Sequence, residues 1–275
     1  LSNAVRDLEK ELGIEIFSRN SKGISLTTEG AEFLSYARQV AEQADLLEQR
    51  YTGKKTMRQL CSISTQHYVF AVKAFCNLIQ KTSSDEYEYT LRETRTFEII
   101  EDVKNMKSEI GLLYQNDFNR KVITKLLSEN QLTFTPLFTA EPHVFMSASC
   151  PLASRKSVTF EDLEDYPYLS YEQGDFNSFY FSEEMQSTVP HKKSIHVSDR
   201  GTMLGLIVGI NGYTICSGVQ SPDLVGAEIK TIPLNIQDGM TVGYITNDHI
   251  LLSAAAHNYI TELKQLISEY GMKLL

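Results

Sequence analysis

Tryptophan is absent from this 275-residue sequence, and cysteine and proline are scarce, with 4 and 7 residues. The cysteines form no CxxC pair, so neither a disulfide-rich secreted domain nor a cysteine-based zinc site is indicated. A run of about eighteen apolar residues, which would indicate a transmembrane helix, is missing. The first residues form a charged amphipathic pattern, unlike a signal peptide. These absences predict a cytoplasmic protein whose cysteines are reduced and mostly buried; they are Cys61, Cys76, Cys150 and Cys216.

Sequence motifs of the common enzyme classes are also missing. There is no GxSxG, no HExxH and no Walker loop. The six histidines do not cluster with cysteines at zinc spacing. Gly205, Gly209 and Gly212 spell GxxxGxxG, which differs from the dinucleotide fingerprint. Acidic pairs such as Glu183–Glu184 are interpreted as solvated helix faces. We therefore expect no catalysis, no metal and no cofactor.

The composition is that of an ordinary globular protein, with 42% apolar and 22% charged residues. The length allows one large or two medium domains with a real core. The net charge of −9 argues against a protein that coats nucleic acid. An acidic total can nevertheless hide a small nucleic-acid-binding module.

A helix is predicted at the very start of the sequence. Its apolar positions recur at helical spacing, and Gly13 ends it, as glycine does after a helix. The apolar stripe consists of Leu1, Val5, Leu8 and Leu12. Short or basic polar side chains lie on the other faces, where they could meet a phosphate backbone or a base edge; they are Ser2, Asn3, Arg6 and Lys10.

A β-hairpin is predicted to follow this helix. Apolar and polar residues alternate over 14–16 and again over 24–26, on either side of a polar tip that carries Arg19 and Lys22. Thr27 or Thr28 can cap the next helix. A helix followed by a two-stranded wing forms the second half of a winged helix-turn-helix, in which the helix reads a groove and the wing grips phosphate. The alternative is any small helix–hairpin unit, since such hairpins are common.

The stretch over residues 1–38 resembles the recognition helix and wing of the LysR-type transcriptional regulators. That family has Leu-Ser, a basic residue, Leu-Glu, Leu-Gly, Leu-Phe, Arg, Leu-Thr and Gly at these spacings. The matching positions are Leu1, Ser2, Arg6, Leu8, Glu9, Leu12, Gly13, Phe17, Arg19, Leu26, Thr27 and Gly30. The resemblance implies a regulator that binds operator DNA through Ser2, Asn3, Arg6, Arg19, Lys22 and Thr27.

The sequence begins inside this motif, because the family's DNA-binding domain opens with a further helix, a turn and the first part of the recognition helix. Residues 1–30 are therefore expected to be a partial winged helix-turn-helix. The first 55 residues carry eight basic and nine acidic side chains, so they have no basic excess. We expect the chain as given to bind an operator poorly.

A heptad pattern over residues 31–55 predicts a long linker helix. Its apolar positions follow one another at intervals of 4, 3, 4, 3 and 4 residues; they are Phe33, Ala37, Val40, Ala44, Leu47 and Tyr51. The alternative is a helix that packs on its own domain. The resemblance implies that this helix pairs two subunits, and that contacts between effector domains complete a tetramer.

From Leu60 onward strand and helix patterns alternate, which predicts an α/β fold of parallel strands with helices on both faces. The resemblance implies a two-lobed, periplasmic-binding-protein-like effector domain over residues 56–275. Lobe I is expected at 60–138 and 226–275, and lobe II at 139–225. The hinges are expected near Phe138–Pro142 and Ser221–Gly226.

The ends of the predicted strands are the best candidates for an effector site, since free N–H groups and small hydroxyls there suit a carboxylate. Residues of this type are Ser64, Thr65 and Gln66 after the first strand and Thr94, Arg95 and Thr96 after the second. In lobe II the corresponding residues are Ser170, Thr202 and Ser217. The alternative is that the hydroxyls cap structural helices and that Arg95 is a solvated charge. A neutral aromatic ligand is also compatible, given 14 tyrosines and 13 phenylalanines.

Two other functional classes remain open. A bilobed solute-binding protein would use the same cleft, but it would need neither a heptad helix nor a wing. An α/β enzyme would be revealed by a turnover assay.

Overall fold

The computed structural model describes residues 2–20, 23–34, 36–37, 40, 44, 59–84, 86–176, 178–219 and 222–275. It divides into two compact units, Leu1–Met57 and Arg58–Leu275. Each unit is described by itself below. Within these described residues, none of the helices combines the length and the apolarity needed to cross a membrane.

The first unit contains the predicted helix and hairpin. Helix α1 spans Ser2–Leu12, and Gly13 follows it in the left-handed region at φ +69°. Strands β1 (Phe17–Asn20) and β2 (Gly23–Leu26) pair antiparallel. A second helix, α2, includes residues 28–34. The tip residue Lys22 lies outside the described residues.

Three polar contacts fix the hairpin between these helices. The Glu9 carboxylate accepts hydrogen bonds from the N–H groups of Ile16 (2.8 Å) and Phe17 (2.9 Å). The Thr27 hydroxyl caps α2, because it accepts the Gly30 N–H at 2.8 Å. A Cβ atom at Gly30 would lie 2.1 Å from the Ile16 carbonyl oxygen, so only glycine fits this close approach.

Part of the predicted heptad seam falls on described residues. Phe33, Ala37, Val40 and Ala44 are helical. Leu47 and Tyr51 lie outside the described residues. Pairing of two subunits through this seam stays a prediction.

The second unit holds two five-stranded sheets, which define two lobes. The first sheet has the order β4-β3-β5-β12-β6. Its strands are β3 (Gln59–Thr65), β4 (Tyr87–Glu93), β5 (Ile110–Gln115), β6 (Leu132–Ala140) and β12 (Met240–Asn247). The helices of this lobe are α3 (Val69–Lys81), α4 (Thr96–Lys104), α5 (Arg120–Glu129) and α9 (Ala254–Glu269).

The second sheet has the order β11-β7-β10-β8-β9. Its strands are β7 (His143–Ser147), β8 (Tyr168–Tyr171), β9 (Ser194–Val197), β10 (Tyr213–Cys216) and β11 (Ile229–Pro233). Its α-helices are α6 (Phe160–Leu163), α7 (Arg200–Ile210) and α8 (Pro222–Val225). Single 3-10 turns span Pro151–Ser154, Gly174–Phe176 and Phe179–Phe181.

The α/β class is confirmed, but the expectation of purely parallel sheets is wrong. Strands β3, β4 and β5 are parallel, as are β8, β9 and β10. Strand β12 runs antiparallel to β5 and β6, and β7 runs antiparallel to β10 and β11. The antiparallel strands β12 and β7 are the first strands that the chain forms after it passes from one sheet to the other.

The predicted return from lobe II at residue 226 is also wrong. Strand β11 pairs with β7, with Ile229 opposite Ser147 and Pro233 opposite His143. It therefore belongs to the second sheet, and the chain re-enters the first sheet only at β12. The return lies between Pro233 and Met240 because β11 supplies β7 with a hydrogen-bonded neighbour on its outer side. The outward crossing, between Ala140 and His143, lies within the expected segment.

An apolar core runs from one lobe into the other. Phe70 and Phe138 of the first lobe belong to the same buried cluster as Val144, Met146 and Ile215 of the second. Burial of this shared surface stabilises the two lobes against each other, since apolar area removed from water contributes about 25 cal/mol per Å².

Candidate functional site

The cleft between the lobes encloses a cavity of about 50 Å³. This volume is near that of one or two water molecules, at roughly 30 Å³ each. Residues that follow strand ends line it from both sides. They include His67 and Tyr68 after β3, Tyr171 at the end of β8, Arg200 after β9, and Cys216 and Ser217 at the end of β10. Glu183, Glu184, Met203, Thr214 and Met240 complete much of the wall.

The predicted residues after β3 do not point into this cavity. The Ser64 hydroxyl donates to an Asp102 carboxylate oxygen at 2.7 Å and lies 2.8 Å from the Ser108 hydroxyl. The Thr65 hydroxyl donates to the Gln66 carbonyl at 2.8 Å. Ser64 and Thr65 are fully buried, and each hydroxyl has a hydrogen-bond partner within the protein. Neither hydroxyl is therefore available to a ligand.

Gln66 and Thr96, both predicted to contact an effector, contact each other instead. The Gln66 side-chain NH₂ donates to the Thr96 hydroxyl at 2.6 Å. Its side-chain oxygen accepts the Tyr68 hydroxyl at 2.6 Å and the Tyr114 N–H at 3.2 Å. The amide therefore joins β3, α4 and β5 below the cleft, and it positions the residues that line it.

Two arginine–carboxylate ion pairs among the described residues cross between the lobes. Arg95, at the start of α4, pairs with Glu172 after β8, and also with Glu98 at 3.1 Å. Arg200, at the start of α7, pairs with Glu93 at the end of β4 at 3.1 Å. The hydrogen bond with Glu172 raises the pKa of Arg95. Both arginines are thus engaged by carboxylates of the chain itself.

The remaining predicted residues serve local structure, with one exception. The Thr94 hydroxyl donates to Glu98, and the Thr202 hydroxyl donates to Asp199 at 2.7 Å. The Ser170 hydroxyl lies 2.9 Å from His196 Nδ1. Of the nine predicted effector residues, Ser217 is the one found in the wall of this cavity.

The strongest contact across the cleft was missed from the sequence. The interpretation of Glu183–Glu184 as a solvated helix face is wrong, because these residues are 8% and 3% exposed. Glu183 Oε2 accepts the His67 N–H at 2.9 Å and lies 2.9 Å from His67 Nδ1. The His67 ring stacks on Tyr171 at 3.8 Å between centroids. The partners are 116 residues apart, so no local pattern signals the contact.

Glu184 lies deeper than Glu183, in surroundings that favour its neutral form. Its carboxyl oxygen accepts the Tyr171 N–H at 2.9 Å. Burial, and secondarily the neighbouring Glu183 charge, raise the pKa of Glu184 well above its ordinary value. Burial likewise raises the pKa of the nearby Cys216 thiol to about 12, so that thiol is unreactive.

Substitution Glu184→Gln is expected to stabilise the protein at neutral pH. Folding raises the pKa of Glu184 above its ordinary value of 4.5, so wild type loses stability as pH rises above that value. The glutamine keeps the acceptor for Tyr171 and removes this loss. We expect a melting temperature higher by about 2–4 °C at pH 7.5, equivalent to about 1 kcal/mol, and a smaller difference at acid pH.

Thermal unfolding followed by circular dichroism between pH 4.5 and 8 measures this difference. Glu228→Gln is the matched control, since Glu228 is exposed. If the melting temperature of Glu184→Gln exceeded that of wild type by a constant amount over this pH range, the raised pKa of Glu184 would be contradicted.

The predicted DNA-contacting residues of the first unit are only partly described. Asn3 and Arg6 are exposed and one helical turn apart on α1. The Thr27 hydroxyl contacts the Gly30 N–H and the Glu15 carbonyl oxygen, which gives it a structural role. The side chains of Ser2 and Arg19, and the whole of Lys22, lie outside the described residues.

Metal binding has no support in the described ranges. No group of three or more histidine, cysteine, aspartate or glutamate side chains there has an arrangement that could hold an ion.

The family model of the LysR substrate binding domain matches residues 69–268. This chain belongs to the LysR-type transcriptional regulator family. The matched range begins at α3 and ends within α9, so it covers both lobes of the effector-binding domain.

Curated relatives are similar at low identity. The transcriptional regulator CysL of Bacillus subtilis (strain 168) is 22% identical over 238 residues, which are 84% of this chain and 75% of that protein. The dual regulator GltC of Bacillus subtilis (strain 168) is 24% identical over 181 residues, or 63% of this chain and 56% of GltC. The chain thus spans little more than half the length of some of these relatives.

Solved LysR-type structures share the fold. Full-length BenM matches with a TM-score of 0.54 and 20% identity, over 99% of this chain and 88% of BenM. Oxidized OxyR of Corynebacterium glutamicum matches with a TM-score of 0.52 and 15% identity, over 98% of this chain and 82% of OxyR. At these identities the similarity shows the architecture alone.

Proposed function

We propose that the protein is a cytoplasmic, operator-binding transcriptional regulator controlled by a small molecule in the cleft. One observation carries the proposal: a helix–wing unit and a two-lobed effector-binding domain occur in one chain of a regulator family. A free-standing solute-binding protein or an enzyme does not require a helix–wing unit.

The DNA-binding role is assigned to the exposed polar face of α1 and to the wing. Asn3 and Arg6 are exposed on one face of α1, where side chains of a recognition helix meet base edges and phosphates. Ser2, Arg19 and Lys22 are proposed to add contacts from the helix and wing. Thr27 caps α2 and so positions the wing, and we assign it this structural role in place of a direct DNA contact.

Homodimer formation through the linker helix predicted over residues 31–55 is part of the proposal, with a tetramer built by effector domains. A dimer places two recognition helices on two half-sites of an operator. Effector binding then changes the geometry of the lobes or subunits and so alters the spacing of these helices. Such coupling between two sites through global states is what allostery requires.

Gel retardation with the protein's own promoter region tests the proposal, using a chain that includes the whole winged helix-turn-helix. We expect retardation that weakens as salt rises, because phosphate contacts release counterions. Arg6→Ala is expected to cost about 1–3 kcal/mol of binding free energy, which corresponds to a complex roughly 5- to 150-fold weaker.

Arg120→Ala is the matched control, since Arg120 is an exposed arginine on α5 of the second unit. It is expected to leave DNA binding unchanged. Absence of retardation at the lowest salt concentration would count decisively against the regulator function and favour the solute-binding alternative.

A further inference from the structure

The chain places one of its own carboxylates at the position where an effector carboxylate was expected. The turn after β3 offers the His67 N–H and the His67 ring to the cleft. Both interact with Glu183, at 2.9 Å each. The Gln173 side-chain NH₂ lies 3.4 Å from the other oxygen of the same carboxylate. Glu183 is thus held as a bound carboxylate would be, by charge-assisted hydrogen bonds in a buried site.

A single segment of the second lobe supplies this carboxylate and covers the neighbouring turn as well. We call residues 172–184, apart from position 177, the strap. Its Gln173 side-chain oxygen accepts the Thr96 N–H at the start of α4 at 3.3 Å. The Ser182 carbonyl accepts the Tyr114 hydroxyl at 3.1 Å. The strap therefore contacts the turns that follow β3 and β4 in the first lobe.

Aromatic stacking holds the outer part of the strap against the first lobe. Phe176 stacks on Phe97 of α4 at 3.6 Å between centroids. Tyr180 stacks on Phe118 at 4.8 Å. Phe118 and Phe176 are about half exposed, at 45% and 49%. Stacked aromatic pairs add to the stabilisation that burial provides, so these two contacts hold the outer part of the strap on the first lobe.

One polar group beside the cavity is left unsatisfied in this arrangement. Thr214 is among the lining residues and is only 5% exposed, and its hydroxyl oxygen is buried without a hydrogen-bond partner among the described residues. Leaving a buried polar group unpaired is unfavourable. A ligand that brings a polar group to Thr214 as the strap leaves would satisfy this hydroxyl.

We propose that the turn at His67 is a carboxylate-binding subsite whose resident occupant is Glu183, and that a carboxylate effector enters the cleft by displacing Glu183 together with the strap. This inference rests on the proposed effector role of the cleft. Because Glu183 is tethered, its effective concentration at the subsite is high. An effector must therefore gain affinity from further contacts, of which Thr214 is the one left open.

Chemical rescue tests the subsite with acetate as the probe. Glu183→Ala removes the resident carboxylate and leaves the His67 donors facing a void. We expect a lower melting temperature than wild type, and a saturable rise of several degrees with sodium acetate relative to sodium chloride at equal ionic strength. Wild type is expected to show no such difference. Asp175→Ala is the matched control, since Asp175 is an exposed carboxylate of the same strap.

A folded Glu183→Ala that responds to acetate no more than Asp175→Ala does would overturn the inference. If Glu183→Ala fails to fold, Glu183→Gln keeps the shape of the side chain with a weaker acceptor. Hydrogen exchange of the strap amides is then expected to accelerate with acetate in Glu183→Gln and not in wild type. Unchanged exchange would overturn it equally. Neither readout involves DNA, so the two proposals can fail separately. DNA retardation without acetate rescue would overturn the subsite inference alone. Acetate rescue without DNA retardation would overturn the proposed function alone.

Discussion

Replacing Phe70 with alanine is expected to lower the free energy of unfolding by about 3–5 kcal/mol. Phe70 is fully buried in the first turn of α3. Its ring stacks on Tyr68 at 4.9 Å and meets Phe138 edge-on at 5.6 Å. The substitution removes apolar contacts from the buried cluster that extends into both lobes, and the surrounding strands cannot collapse fully into the space that is left.

Urea denaturation followed by circular dichroism measures this loss, and an unchanged dependence on urea concentration shows that stability alone has changed. For a domain of this size, the loss corresponds to a melting temperature lower by roughly 6–20 °C. Phe118→Ala is the matched control, because Phe118 is 45% exposed and stacks on Tyr180 outside the buried cluster. A loss in Phe70→Ala no larger than that in Phe118→Ala would contradict the shared core.

Local patterns predicted most strands of this fold because each signal lies within the element itself. The alternating segment YEYTLRE forms strand β4 (Tyr87–Glu93). Thr159 and Asp162, three residues apart, form a reciprocal capping box at the start of α6. Such signals depend on side-chain alternation or on hydrogen bonds between residues three apart, which the sequence displays directly.

Elements whose reason for existing lies elsewhere in the chain were missed. Strand β11 is explained by its partner β7, and neither pattern nor turn residues reveal that pairing. Helix α5, by contrast, begins after a local turn in which the side-chain oxygens of Asn116 and Asn119 accept hydrogen bonds from each other's backbone N–H groups, at 2.9 and 3.0 Å. That turn sets the direction in which the helix begins.

The candidate site, like the fold, could be predicted only where the signal is local. Strand-end reasoning located the cleft, since Ser217 and the turn after β3 both border it. It did not identify which side chains face inward, because Ser64 turns toward Asp102 and Gln66 toward Thr96. Nor could it identify Glu183 as the partner of His67, because that contact depends on the packing of one lobe against the other.

Replacing Gln66 with alanine is expected to cost about 3 kcal/mol or more, because it leaves several buried groups without a partner at once. The Tyr114 N–H, the Tyr68 hydroxyl and the Thr96 hydroxyl all bind this one side chain. Gln66 is 1% exposed, so water does not readily replace it. Each buried polar group left unsatisfied costs about 1–3 kcal/mol.

The substitution is expected to loosen the cleft as well as the fold. Tyr68 precedes α3 and lines the cavity. Thr96 is the first residue of α4, and its N–H group donates to the Gln173 side chain of the strap. Chemical denaturation gives the loss of stability, and hydrogen exchange of the strap amides gives the local effect. Gln265→Ala is the control, since this amide on α9 is exposed and bonds only its neighbour Glu269 among the described contacts. If strap exchange in Gln66→Ala rose no more than in Gln265→Ala, the amide would support the core without positioning the site.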